Sequence, residues 1–138
     1  LMLRCLKLIS VAFALVAVSA VNAAERFYPD SAGQTVRCRA MIEMPRGAVS
    51  GMCLLRNDTT EVRGCIFNEF GITAFGFTYD TRRGKVKLEE LAPMFDKWYI
   101  RRTLRSDLRE LMQALDAGAD GYINEKRKIK YKLIPLDE

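Results

Sequence analysis

Between residues 36 and 88 the chain repeats one local pattern, a short apolar run followed by a cluster of turn-forming residues. Val36, Cys38, Ala40, Ile42 and Met44 alternate with Arg37, Arg39 and Glu43, the period of a strand with one face buried. Pro45, Arg46 and Gly47 turn the chain, and a second run covers 49–55. Asn57, Asp58 and Thr59 turn it again before a third run over 62–67. A fourth run covers 72–79, and Thr81, Arg82, Arg83 and Gly84 separate it from a fifth over 85–88. Strands this close together, with Gly, Pro, Asn and Asp between them, predict neighbouring hairpins in one antiparallel sheet.

The period then changes. Leu91, Met94, Phe95 and Trp98 recur at the spacing of one helix face, and Pro93 suits the first turn of such a helix. Leu104, Leu108, Leu111, Met112 and Leu115 form a second helical stripe, ended by Gly118 and Gly121. Arg101, Arg102, Arg105 and Arg109 fall mostly off that stripe, on the solvated side. Ile129, Tyr131 and Leu133 alternate with Lys128, Lys130 and Lys132 in a closing strand. The expected fold is α+β: a curved, half-barrel-like antiparallel sheet with two helices on its concave face, forming one domain over residues 24–138.

The stretch GCIFNEFGITAFGFTYD, residues 64–80, is the densest in the chain. Asn68 and Gly71 stand where a four-residue hairpin loop needs them, because Asn bonds nearby backbone and Gly accepts positive φ. Glu69 has no visible catalytic partner, so the stretch reads as a turn. The strand after it carries Phe75, Phe77 and Tyr79 on one face and Ile72, Ala74, Gly76 and Thr78 on the other. Both faces are largely apolar, which predicts cover on both sides or a wall of an apolar cavity. Gly76 in mid-strand predicts a bulge or bend. Phe75, Phe77 and Tyr79 are expected to oppose Leu91, Met94, Phe95 and Trp98, and these seven residues form the candidate apolar cup.

The N-terminus alters the picture of compartment. Arg4 and Lys7 precede an apolar core over 8–20, and Val21, Asn22 and Ala23 offer small residues at a cleavage site. This is the pattern of a secretory signal peptide over residues 1–23, with the mature chain beginning at Ala24 or Glu25 in the periplasm or cell envelope. Cys5 precedes the apolar core, where the lipid-modified first residue of a mature lipoprotein does not lie. Of 22 basic residues, Arg4 and Lys7 fall in the signal, so against 17 acidic residues the net charge drops from +5 to +3. So slight an excess does not point to nucleic acid.

Histidine is absent, which removes the commonest metal ligand and the commonest general base. Cys38, Cys53 and Cys65 lie in strand-like runs with no CxxC spacing, so they read as small buried hydrophobes, with one cross-strand disulfide as the alternative. No metal, cofactor or catalytic set is expected, and the chain reads as a non-enzyme. Lys128, Lys130 and Lys132 offer either an edge protected from further pairing or a peripheral contact with a membrane.

The order of export signal, the strands GMCLLRN, EVRGCIF and GITAFGFTYD, the link GKVKLEEL, helices and a final strand resembles the bacterial lipoprotein-carrier class over residues 35–135. That resemblance implies a half-open barrel whose concave side is plugged by helices, with acyl chains bound between them. The expected function is a soluble envelope protein that binds an acyl chain or lipidated peptide. A helix carrying Leu91 to Trp98 would move away from the sheet to admit it. The competing expectation is an envelope interaction module whose apolar cup is simply core.

Overall fold

The computed structural model describes residues 26–136. The signal-peptide reading of residues 1–23 lies outside them. Seven strands form one antiparallel sheet: β1 (Thr35–Met44), β2 (Gly47–Asn57), β3 (Glu61–Phe67), β4 (Thr73–Asp80), β5 (Lys85–Leu91), β6 (Gly121–Asn124) and β7 (Ile129–Pro135). A 3-10 turn (Pro93–Phe95) and a single helix, α1 (Trp98–Asp116), connect β5 to β6. The strand order is β5-β4-β3-β2-β1-β7-β6, so the chain meanders through five strands and returns on the far side of β1. The sheet curls into a half-barrel, and α1 crosses its open side, touching the edge strands β5 and β6.

The register sorts residues between two faces. Cys38, Ala40 and Ile42 lie opposite Cys53, Gly51 and Val49 on β2, and Ala40 and Ile42 opposite Leu133 and Tyr131 on β7. Ile66, Gly64 and Val62 continue this face across β3 to Phe75, Phe77 and Tyr79 on β4. Leu104, Leu108, Leu111, Met112 and Leu115 of α1 pack into the concavity, and the two layers share one core. The second helical stripe of the sequence is thus the buried face of α1.

The helix expected over Leu91 to Trp98 is not formed. Leu91 ends β5 opposite Phe75, and residues 93–95 make only a 3-10 turn. Ala92 is extended, as the residue before a proline prefers to be, and Lys97 is extended again at the start of α1. Two breaks in seven residues convert a helical spacing into a turn, and among the described residues one α-helix stands where two were expected on the sheet.

Two further elements depart from the sequence pattern. Gly121, read as a helix terminator, opens β6, where a Cβ would overlap the carbonyl of Tyr131. Only glycine permits that approach of β6 to β7. Upstream of β1, Phe27, Tyr28 and Pro29 are buried and close the end of the half-barrel where α1 finishes. Arg26 bonds the Asp116 carbonyl, and the Asn57 amide donates to the Pro29 carbonyl, which fastens this segment.

The Asn68 stretch is a turn. The Asn68 side-chain oxygen accepts the backbone N–H groups of Phe70 and Ile72, and Gly71 sits at φ +79°. The two-faced apolarity of β4 has a local cause. Gly76 and Thr78 face away from α1, beside Cys65, Arg63, Glu90 and Lys87 on neighbouring strands. The Thr78 hydroxyl donates to Glu89 at 2.6 Å, so small side chains are buried within the sheet. The register shifts between Gly76 and Phe77, where Glu89 is left out of the cross-strand pairing, and this is the bulge that Gly76 signalled.

Candidate ligand-binding groove

Strand direction decides what meets at each end of the half-barrel. β1, β3, β5 and β6 finish at the end where α1 begins, and β2, β4 and β7 start there. That end therefore gathers the 45–46 turn, the 68–72 turn, the 3-10 turn, the first turn of α1 and the 125–128 loop. A groove of about 650 Å³ opens among them. Its sheet wall is Ile42, Met44, Val49, Phe75, Ile129 and Tyr131. Its helix wall is Tyr99, Ile100, Thr103 and Leu104, and Met94 and Phe95 of the 3-10 turn cover one side. Arg46 and Arg127 are the charged residues of its lining.

Of the seven cup residues expected from sequence, Phe75, Met94 and Phe95 line this groove. Phe77 and Tyr79 lie deeper, buried in the shared core, and Leu91 packs at its margin. Trp98 is 73% exposed and is not part of the lining, in edge contact with Tyr99. The displacement toward α1 follows from the missing helix: residues 99–104, not 91–98, supply the second wall.

Met94 and Tyr99 of the lining are exposed, Met94 at 69%, and Phe70, 80% exposed, and Ile72 stand out from the 68–72 turn at the same end of the sheet. Lys130 and Lys132 stand exposed on the outer face of β7, where Lys132 pairs with Asp120 at 3.5 Å. A second hollow of about 720 Å³ lies at the opposite end, between the 117–120 loop and the end of β7. Its charges are already matched, Arg26 by Asp30 and Asp116 and Lys132 by Asp120.

A polar cluster sits beneath the groove. Asp107 is on the buried face of α1 and only 1% exposed. Its carboxylate accepts the Tyr131 hydroxyl at 2.6 Å and the Asn124 amide at 2.8 Å. Burial holds the Asp107 carboxyl above its ordinary value, although both hydrogen bonds favour its charged form. Burial and the neighbouring carboxylate push the Tyr131 hydroxyl far up, so it stays a donor. Asp107 is not among the site residues expected from sequence. The available signal was its position, since Asp107 falls between Leu104 and Leu108 and four residues before Leu111, on the apolar stripe.

Cys38 and Cys53 are buried partners in the β1–β2 register, and their thiols touch. The contact and burial push the Cys53 thiol up, while the same contact lowers Cys38. Among the described residues no cluster of His, Cys, Asp or Glu has a metal-binding arrangement. Comparison with protein-family models, curated proteins and solved structures finds no match to this chain.

Proposed function

We propose that this chain binds an acyl chain, free or carried on a peptide, in the groove between the concave sheet and the first half of α1. The supporting observation is the groove itself: about 650 Å³, walled by aliphatic and aromatic side chains from four strands, a turn and a helix. That volume is within the range of small-ligand sites, about 300–1,000 Å³. A buried alkyl chain gains about 0.8 kcal/mol per methylene, so affinity needs no polar motif. The groove is not filled by its own side chains, which favours a ligand site over a plain core.

The Pro93–Phe95 turn is the movable wall. It contributes no buried residue, and Met94 is largely exposed, so swinging it outward exposes little core. In this reading the chain works as a carrier in the cell envelope, on the strength of the export-signal pattern over residues 1–23. The exposed Met94 and Tyr99 at the opening, with Phe70 and Ile72 on the 68–72 turn at the same end, give it a surface suited to a lipid source or a lipidated partner.

Native mass spectrometry of the purified protein tests the reading, together with displacement of a fluorescent fatty acid. Co-purified lipid, or saturable displacement lost in Val49→Trp, supports it. Val49 is half-buried on the groove wall, so a tryptophan there fills the groove without removing core. Absence of bound lipid together with absence of displacement sinks it and leaves the interaction-module reading.

A further inference from the structure

We propose that the occupant is a single-chain lipid with a phosphate head, the chain in the apolar groove and the phosphate in a basic recess beside it. The inference rests on the acyl-binding reading and adds the chemistry of the head group. The recess, about 290 Å³, lies between α1 and the 125–128 loop. Arg102, Lys126 and Arg127 bring three cations to it, and Thr103, Ser106 and Asn124 bring neutral polar groups. The one acid in its lining, Asp107, is already engaged by Tyr131 and Asn124. None of the three cations has an ion-pair partner among the described residues.

Like charges gathered around a small recess are relieved by an anion with several acceptor oxygens. A phosphate monoester carries about −1.5 to −2 charge and three such oxygens, and guanidinium groups can bind it bidentately. Three cations against the one acid, Asp107, leave two positive charges, so a carboxylate matches one of them and a phosphate monoester comes close to matching both. The recess is also joined to the groove, since Thr103 and Arg127 line both. Tyr131 bridges them as well, its ring on the groove and its hydroxyl on Asp107. The loop that carries Lys126 and Arg127 is fixed in place. Asn124 donates its amide to Asp107, and its side-chain oxygen accepts the Arg127 backbone N–H at 3.1 Å. Buried Asp107 thereby anchors the cationic loop to the helix.

The test is calorimetric titration with dodecyl phosphate, dodecanol and inorganic phosphate below micelle formation, on the wild-type chain and on Arg102→Gln and Lys126→Gln. Both residues are exposed, so neither change disturbs the core, and unchanged melting curves verify this. The expected result is dodecyl phosphate binding at least tenfold tighter than dodecanol. Each variant should then lose severalfold to tenfold for the phosphate and nothing for the alcohol. Equal binding of both lipids, unaffected by the variants, overturns the head-group site and leaves the acyl groove standing. Inorganic phosphate binding as tightly as dodecyl phosphate overturns the amphiphile, because the chain then contributes nothing. Binding of neither lipid overturns this inference and the acyl-chain reading together.

Discussion

The Tyr131 hydroxyl, from the last strand, donates to the Asp107 carboxylate in the middle of the helix at 2.6 Å. This is a polar clasp between sheet and helix inside an otherwise apolar interface. Removing the hydroxyl leaves the buried Oδ2 of Asp107 without its donor, and removing the carboxylate strands the buried hydroxyl, each at about 1–3 kcal/mol. Tyr131→Phe should therefore destabilise the chain in urea titrations by about that amount. Asp107→Ala should cost at least as much, because it strands Asn124 too. The two changes combined should cost less than their sum, and strict additivity would show the clasp to be energetically idle.

The same carboxylate sets a pH dependence. Asp107 titrates near 3.8 in the unfolded chain and higher in the folded one, because burial disfavours its charge. In the window between those values the folded state holds a proton that the unfolded state has released. The group's contribution is full below the unfolded value and declines as pH rises through the folded value. Asp107→Asn abolishes this titration. The stability of the wild type relative to Asp107→Asn should fall from acid toward neutral pH, and a flat difference across that range would refute the assignment.

Glycines separate two kinds of constraint. A Cβ at Gly64 would overlap the Phe77 ring and Leu55, both fully buried, so Gly64→Ala should cost about 1–3 kcal/mol through forced repacking. A Cβ at Gly71 meets nothing within 4 Å, yet its φ of +79° disfavours any other residue, and Gly71→Ala should cost about 1 kcal/mol. Gly71→Asn, which tolerates that backbone, should recover part of the loss, and Asn at position 64 should not. Glu69→Gln on the same turn should change neither stability nor binding, since Glu69 is exposed.

Depth distinguishes core from groove wall. Phe77 is fully buried, and Phe77→Ala should cost about 3–5 kcal/mol in thermal or denaturant unfolding. Ile100 is half-buried on the groove wall, and Ile100→Ala should cost less than Phe77→Ala, because it already borders a void. Fatty-acid displacement should respond in the opposite order, with Ile100→Ala the more damaging once both variants are compared well below their melting temperatures. Reversal of the two orders would mean that the groove is not where ligand binds.

Thiol reactivity reports the register directly. Cys38 and Cys53 are buried face to face, whereas Cys65 is half-buried on the outer side of β3. In reduced native protein Cys65 should be alkylated first, and Cys38 and Cys53 only after denaturation, as read by peptide mass mapping. Early modification of Cys53 would contradict the β1–β2 pairing.

The meander is legible in local pattern alone. Alternation over 36–44, the turn chemistry of Asn68 and Gly71, and the Leu104 to Leu115 stripe are local patterns, and local patterns need only a period and a turn to be read. The antiparallel sheet and the buried face of α1 followed from them. Everything that depends on strand neighbours and strand ends arises only in the folded chain. The spacing of Leu91, Met94, Phe95 and Trp98 fits a helix, but pairing of Leu91 with Phe75 and two extended residues favour strand and turn. β6 is four residues long and begins with a glycine whose role is to let Tyr131 approach, which no window of sequence reveals. The groove draws its wall from residues 99–104 and meets a cationic recess built from residues 102–107 and 122–127, because α1 crosses from β5 to β6. Asp107 was readable as an acid on an apolar stripe. Its partners were not, since Tyr131 lies 24 residues on and Asn124 lies 17. Only the closing of β7 against β1 brings those groups beneath the helix, where burial gives a hydrogen bond its consequence.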